Sequence, residues 1–101
     1  MKGILIDPYS RSVEAMESEF ALLELHKLVG AECLDFCYPF GREEELAVAD
    51  DGMDRQLPAF FVEGYEWPIW GKAVLTGLNA VGKARSTRLS VEEVYERVRF
   101  P

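Results

Sequence analysis

The chain is poor in the residues that carry out covalent and metal chemistry. Of its 101 residues two are cysteine, Cys33 and Cys37, and one is histidine, His26. A protein zinc site usually draws four ligands from Cys and His, and there is no second Cys/His pair to complete one. Four residues apart on an extended segment, the two cysteines have Cα atoms about 13 Å from one another at ~3.3 Å per residue, too far for a disulfide. They read as small buried hydrophobes in a reducing compartment. A thiol nucleophile needs its base within hydrogen-bond reach, and one histidine near one helix end does not supply that arrangement. The glycines Gly64, Gly71, Gly77 and Gly82 punctuate turns and strands and do not link a strand to a helix as a phosphate loop would. With 18 acidic residues, pairs of carboxylates are too common to signal hydrolysis. No catalytic residue, metal or cofactor is therefore assigned, and the chain is not read as an enzyme.

Long apolar runs are also missing. The longest, around Phe20 to Leu25, is interrupted by Glu24, well short of the roughly 18 residues that span a bilayer. The first residues turn acidic at Asp7, before a signal peptide's apolar stretch could develop. A cytoplasmic protein without a membrane partner is expected.

What is abundant is hydrophobic side chain, at 49%, and negative charge, net −7. A chain of this size and composition folds as a single domain with its own core, spanning 1–101. The charge is uneven: Met1 to Glu66 holds 15 acids against 5 bases, and Trp67 onward holds 6 bases against 3 acids. Phosphates are repelled by so acidic a surface, which argues against direct nucleic-acid binding and for a protein partner or self-association of opposite poles. Within Glu32 to Asp54 there are 8 acids, among them Glu43, Glu44, Glu45, Asp50, Asp51 and Asp54, against Arg42 alone. A duplex presents about one charge per 1.7 Å, so a nucleic-acid mimic some 20 Å long needs ~12, and this region has fewer. It reads first as a solvated acidic rim and second as such a mimic.

Local patterns predict an α+β fold, a mostly antiparallel sheet of five or six strands with one helix across a face and a second helix at the C-terminus. Gly3–Ile6 is a strand stopped by Asp7-Pro8, and Ser12–Glu17 alternates as its hairpin partner. Ser18 is a candidate N-cap for a helix over Glu19–Val29, in which Leu22, Leu23 and Leu25 widen the apolar arc, with Gly30 at its stop and His26 as a solvated residue of the last turn. Glu32–Tyr38 predicts a strand with Leu34, Phe36 and Tyr38 toward the core. Leu46–Ala49 predicts a strand, with a short helix started by the glutamates as the alternative, and 50–58 reads as a mobile loop. Lys72–Leu78 and Ala84–Arg88 form a hairpin, and Ser90-Val91-Glu92-Glu93 is a capping box opening a helix that places Val91, Val94, Tyr95 and Val98 on one face.

Between Phe60 and Gly77 lie both tryptophans, one proline and three glycines. The pattern is strand, aromatic turn, strand. Three pieces of the chain, Met1–Pro8 (Met-Lys-x-x-x-Ile-Asp-Pro), Glu63–Gly77 (Glu-Gly-Tyr-x-x-Pro-x-x-Gly-Lys) and Leu89–Phe100 (Leu-Ser-Val-Glu-Glu), resemble a family of small uncharacterised domains common in phages, plasmids and integrated mobile elements. The resemblance implies a single α+β domain and an association with mobile elements. Trp67 and Trp70 depart from it, since the family usually has Gln and a small residue there.

Trp and Tyr are enriched at binding hot spots because they bury large area with little rotamer entropy to lose, and they serve equally as lids over a core. A proline-bearing turn with two indoles in so small a domain should leave at least one accessible. The expectation is a non-catalytic protein-binding module anchored by Tyr65, Trp67 and Trp70 and flanked by Glu43, Glu44, Glu45, Asp50, Asp51 and Asp54. Its sharpest form is an inhibitor of a host-defence, nucleic-acid-handling complex of the restriction or CRISPR type. The alternative is a self-assembling module in which the acidic front of one copy meets Arg85, Arg88, Arg97 and Arg99 of another.

Overall fold

Every residue from 1 to 101 is described by the computed structural model. The chain runs β1 (Lys2–Asp7), β2 (Ser12–Glu17), α1 (Leu22–Val29), β3 (Leu34–Cys37), β4 (Glu44–Ala49), β5 (Ala59–Val62), β6 (Ile69–Trp70), β7 (Ala73–Leu78), β8 (Ala84–Arg85), α2 (Val91–Arg97) and β9 (Val98–Arg99). Six strands form an antiparallel sheet in the order β2-β1-β7-β4-β3, with β8 paired to the end of β7. This is the α+β architecture expected, with one helix on a face and one near the C-terminus. No helix is long and apolar enough to cross a membrane.

Period-2 alternation divides the apolar residues between the two faces of this sheet. Ile4, Ile6, Leu46, Ala73 and Leu75 point to one side, where Phe40, Phe60, Val62, Ile69 and Val94 complete the larger core. Ala47, Ala49 and Val74 point to the other, where Phe20 and Val29 are buried and Leu25 and Leu28 of α1 pack against them. The larger core is closed by a second sheet, β6-β5-β9, for which no local pattern in the sequence calls. Its last strand is made by residues predicted to continue the C-terminal helix. That helix stops at Arg97, and Val98 pairs with Val62 and Arg99 with Phe61. The pairing buries Val98 and Phe100 partly against the core, which a longer helix would have carried away from it.

The start of α1 also differs from expectation. The N-cap position is Ala21, without a side-chain cap, and the helix begins at Leu22. Ser18 spends its hydroxyl on the Glu24 carboxylate and accepts the Phe20 N–H at 3.2 Å. Phe20 takes a left-handed conformation (φ 50°) and lays its ring over Gly3. Leu22 and Leu23 are exposed, so the buried stripe is narrower than three adjacent leucines suggested. A Cβ at Gly3 would lie 2.6 Å from Phe20 Cζ and 3.0 Å from the Leu75 carbonyl oxygen. Gly3→Ala is accordingly expected to lower stability by about 1–2 kcal/mol, read as a shift in urea midpoint at unchanged slope.

The C-terminal capping box is present as predicted: Ser90 Oγ accepts the Glu93 N–H at 3.1 Å and Glu93 Oε1 accepts the Ser90 N–H at 3.1 Å. Gly30 ends α1 in the left-handed region, its N–H donating to the His26 carbonyl. His26 is half-buried, not solvated, and its Nδ1–H donates to the Ala31 carbonyl at 2.9 Å. Glu44–Ala49 is a strand, not the alternative helix. The following segment, read as a mobile loop, is a compact turn in which Leu57 N–H donates to the Gly52 carbonyl and Arg55 N–H to the Asp51 carbonyl.

Candidate functional site

The aromatic turn joins β5 to β6 and stands beside the outer edge of the main sheet. Ile69 anchors its far end by burial in the larger core, and Tyr65 packs partly against that core. Trp70 is half-buried, with Gly52 close-packed on its Cβ and carbonyl, each at what would be 2.7 Å for an added Cβ, so the turn after β4 braces the base of this residue. Trp67 is different. At 64% exposure it is an indole left in solvent at the tip of the turn.

The turn has a cleft on each flank. On one side a groove of about 590 Å³ runs between Phe61, Tyr65, Glu66, Arg97 and Arg99. Its cations are already occupied: Arg99 lies over the Phe61 ring at 4.7 Å, and Arg97 lies over Phe40 at 5.0 Å and donates to the Pro39 carbonyl. On the other side a cleft of about 160 Å³ opens between the turn and the edge strand β3, lined by Asp35, Cys37, Val48, Tyr65, Pro68 and Trp70 among others.

Strand β3 departs from the prediction at Phe36 and Tyr38, while Leu34 does pack on a core. Cys37 sits opposite Leu46 in register and so faces the larger core, while Phe36 and Tyr38 are exposed. The reason is topological: β3 is the sheet's last strand, and α1 packs on β4 and β7. Only Leu34 reaches the cluster under the helix. Phe36 N–H is satisfied by Asp35 Oδ1 at 2.8 Å, which blunts an open strand edge.

Burial pushes the Cys37 thiol up to about 11, opposed by its hydrogen bond with Tyr65 and reinforced by the Asp35 carboxylate. Burial likewise raises the Tyr65 phenol, with Cys37 adding to it. Cys37 is thus kept protonated at neutral pH, whereas Cys33 is exposed. A chromogenic disulfide reagent should therefore titrate one thiol quickly in the folded protein and the second only on unfolding; equal rates for both would contradict this. The sign for stability follows from the same shift. Well below pH 9 the thiol is protonated folded and unfolded. Between about 9 and 11 the unfolded thiol ionises first, so stability falls as pH rises through that window.

The acidic residues do not form one strip. Asp50, Asp51 and Asp54 lie at the end of β4 nearest Trp70, with Asp51 paired to Arg55 at 3.5 Å. Glu43, Glu44 and Glu45 lie at the other end of that six-residue strand, about 17 Å away at ~3.4 Å per residue. Glu44, expected on a binding surface, is 6% exposed and belongs to the interior. Its carboxylate accepts the Thr87 hydroxyl and, at 3.2 Å, the Arg88 N–H, with Arg85 Nη2 3.6 Å away. Glu43 is paired with Arg88 at 3.5 Å, and Glu45 accepts the Tyr38 hydroxyl at 2.9 Å. That bond raises the Tyr38 phenol above its usual range.

Around the turn the structure thus brings together Tyr65 and Trp70, with the exposed Trp67 between them in sequence; of the 50–54 segment it is Gly52 that abuts Trp70, while Asp51 pairs with Arg55, which reaches the Gly30 carbonyl at the end of α1. The glutamates Glu43–Glu45 lie elsewhere. Asp35 and Cys37 join the aromatic residues, on the side of the alternating strand that was not assigned to a core. No three His, Cys, Asp or Glu side chains converge as metal ligands. Comparison with protein-family models, curated proteins and solved structures finds no match.

Proposed function

We propose that this chain is a small non-catalytic protein-binding module whose anchor is the Tyr65–Trp70 turn. The observation that carries the reading is the exposed indole of Trp67, held on a turn that is itself fixed at Ile69 and Tyr65. An aromatic side chain on a rigid support loses little entropy when it is covered, which is what an interface anchor requires. Asp35 lines the cleft beside the turn and Glu66 belongs to the turn itself, and these carboxylates would steer a basic partner toward it. The sharper form, inhibition of a host nucleic-acid-handling complex, rests on the resemblance to mobile-element domains. A contiguous duplex-like row of carboxylates does not support it, because Glu44 is interior and Glu43 is paired.

Affinity capture from cells, together with an assay of restriction or interference, tests both forms. Recovery of a defence complex with loss of its activity supports the sharper one. Recovery of the bait alone with activity unaffected contradicts both. Self-assembly, the other reading, has lost most of its cationic pole: Arg85, Arg97 and Arg99 are engaged within the chain, and Arg88 pairs with Glu43. Equal molar mass at low and high salt would set it aside.

A further inference from the structure

We propose that the cleft between β3 and the aromatic turn receives one lysine or arginine side chain, projected from a basic segment of the partner. This rests on the docking reading above and names the chemistry of what docks. The cleft of about 160 Å³ has room for a single long side chain rather than a cofactor. Tyr65 and Trp70 line it with Pro68 and Val48, and Asp35 is the one formally charged residue in the lining, with no lysine or arginine beside it.

Each alternative occupant meets a physical objection. An anionic group would face Asp35 with no cation to receive it. An apolar side chain would strip water from the Asp35 carboxylate and return no hydrogen bond beyond the one that Phe36 N–H already makes. A cationic side chain meets neither difficulty. Its alkyl stem lies along Val48 and Pro68, its head is attracted by the aromatic rings, and it ends at the carboxylate. The Cys37 thiol, protonated at neutral pH, stays a neutral part of the wall. The chain's net charge of −7 favours the approach of such a segment from a distance.

The test uses the full chain, with nuclear magnetic resonance of the Trp70 indole and the Cys37 and Val48 amides. Three probes are titrated: acetyl-Gly-Arg-Gly-amide, the same peptide with citrulline, and the same peptide with glutamate. Arginine and citrulline share a shape and differ in charge. The expected result is saturable shifts at these signals with the arginine peptide, binding at least 5-fold weaker with citrulline, and none with glutamate. Asp35→Asn keeps the oxygen that accepts the Phe36 N–H and should leave the unfolding midpoint in place while reducing arginine binding to the citrulline level. Equal binding of arginine and citrulline peptides, shifts centred away from the cleft, or an unaffected Asp35→Asn would each overturn the assignment. So would self-association in the absence of peptide that Asp35→Asn abolishes, because the occupant would then be a second copy. If Trp67→Ala weakens capture of a partner and Asp35→Asn does not, the docking reading stands and this assignment falls. If peptide binding depends on Asp35 but Trp67→Ala leaves capture intact, the docking reading falls instead.

Discussion

Replacing Glu44 by alanine is expected to lower the stability of the fold by about 3 kcal/mol, a large part of the roughly 5–15 kcal/mol that holds a domain of this size together. The carboxylate sits at the first position of β4, buried, and joins that strand to the segment after β8. It accepts from Thr87, itself 6% exposed, and from the Arg88 backbone, and it lies 3.6 Å from the Arg85 guanidinium. Truncation strands a buried hydroxyl and a backbone donor and removes the charge facing a largely covered arginine. Hydrogen bonds to a charged acceptor are worth about 1.5–3 kcal/mol each, partly offset here because Arg85 keeps its bonds to the Leu78 and Ser86 carbonyls. Urea unfolding should show the midpoint falling by about 1.5 M at unchanged slope. Glu44→Gln, which can still accept from Thr87, should lose about half as much. Glu43→Ala is the control: its pairing with Arg88 is solvent-exposed and should cost less than about 0.5 kcal/mol. If Glu43→Ala and Glu44→Ala proved equally mild, the interior role of Glu44 would be wrong.

The other large effect concerns binding. Trp67→Ala should weaken partner association at least 30-fold, about 2 kcal/mol, because a central aromatic anchor typically carries that much of an interface. The same change should move unfolding stability by no more than about 0.5 kcal/mol, since the indole is mostly in solvent in the free protein. That separation of binding from stability distinguishes an anchor from a lid over the core. Val81→Ala offers a matched control: Val81 is also an exposed apolar residue, on the hairpin loop between β7 and β8, and its loss should change neither quantity. Surface plasmon resonance against the captured partner, alongside urea unfolding, measures both.

Much of the fold was legible because its signals are local. Pro8 ends β1, the Ser90/Glu93 pair opens α2, and Gly30 closes α1, each by a mechanism that needs only a few neighbouring residues. What was not legible depended on partners distant in sequence. Val98 reads as a helical residue in its own stretch and becomes a strand residue only because Val62 presents a free edge. Phe36 and Tyr38 read as core aromatics until β3 proves to be the sheet's edge. Ser18 reads as a helix cap until Phe20 is seen to turn aside into the space above Gly3.

The candidate site divides the same way. That at least one indole would be accessible was foreseeable from a proline-bearing aromatic turn; that it is Trp67 depends on how Trp70 packs against Gly52. The cleft beside the turn was not foreseeable, since Asp35 and Cys37 are drawn to Tyr65 and Trp70 by the packing of β6 near β4. The triple glutamate shows the opposite error: Glu43 ends the turn before β4, and on the strand Glu44 and Glu45 alternate in facing, so the two could not share a surface, and here Glu44 points inward.

The most direct test of the docking account uses Trp70→Phe, in which Trp67 is the only indole, and measures acrylamide quenching of its fluorescence free and in complex with the captured partner. The account predicts ready quenching in the free protein and strong protection in the complex. Equal quenching in both would mean that the partner leaves Trp67 uncovered, and the turn could not be the anchor.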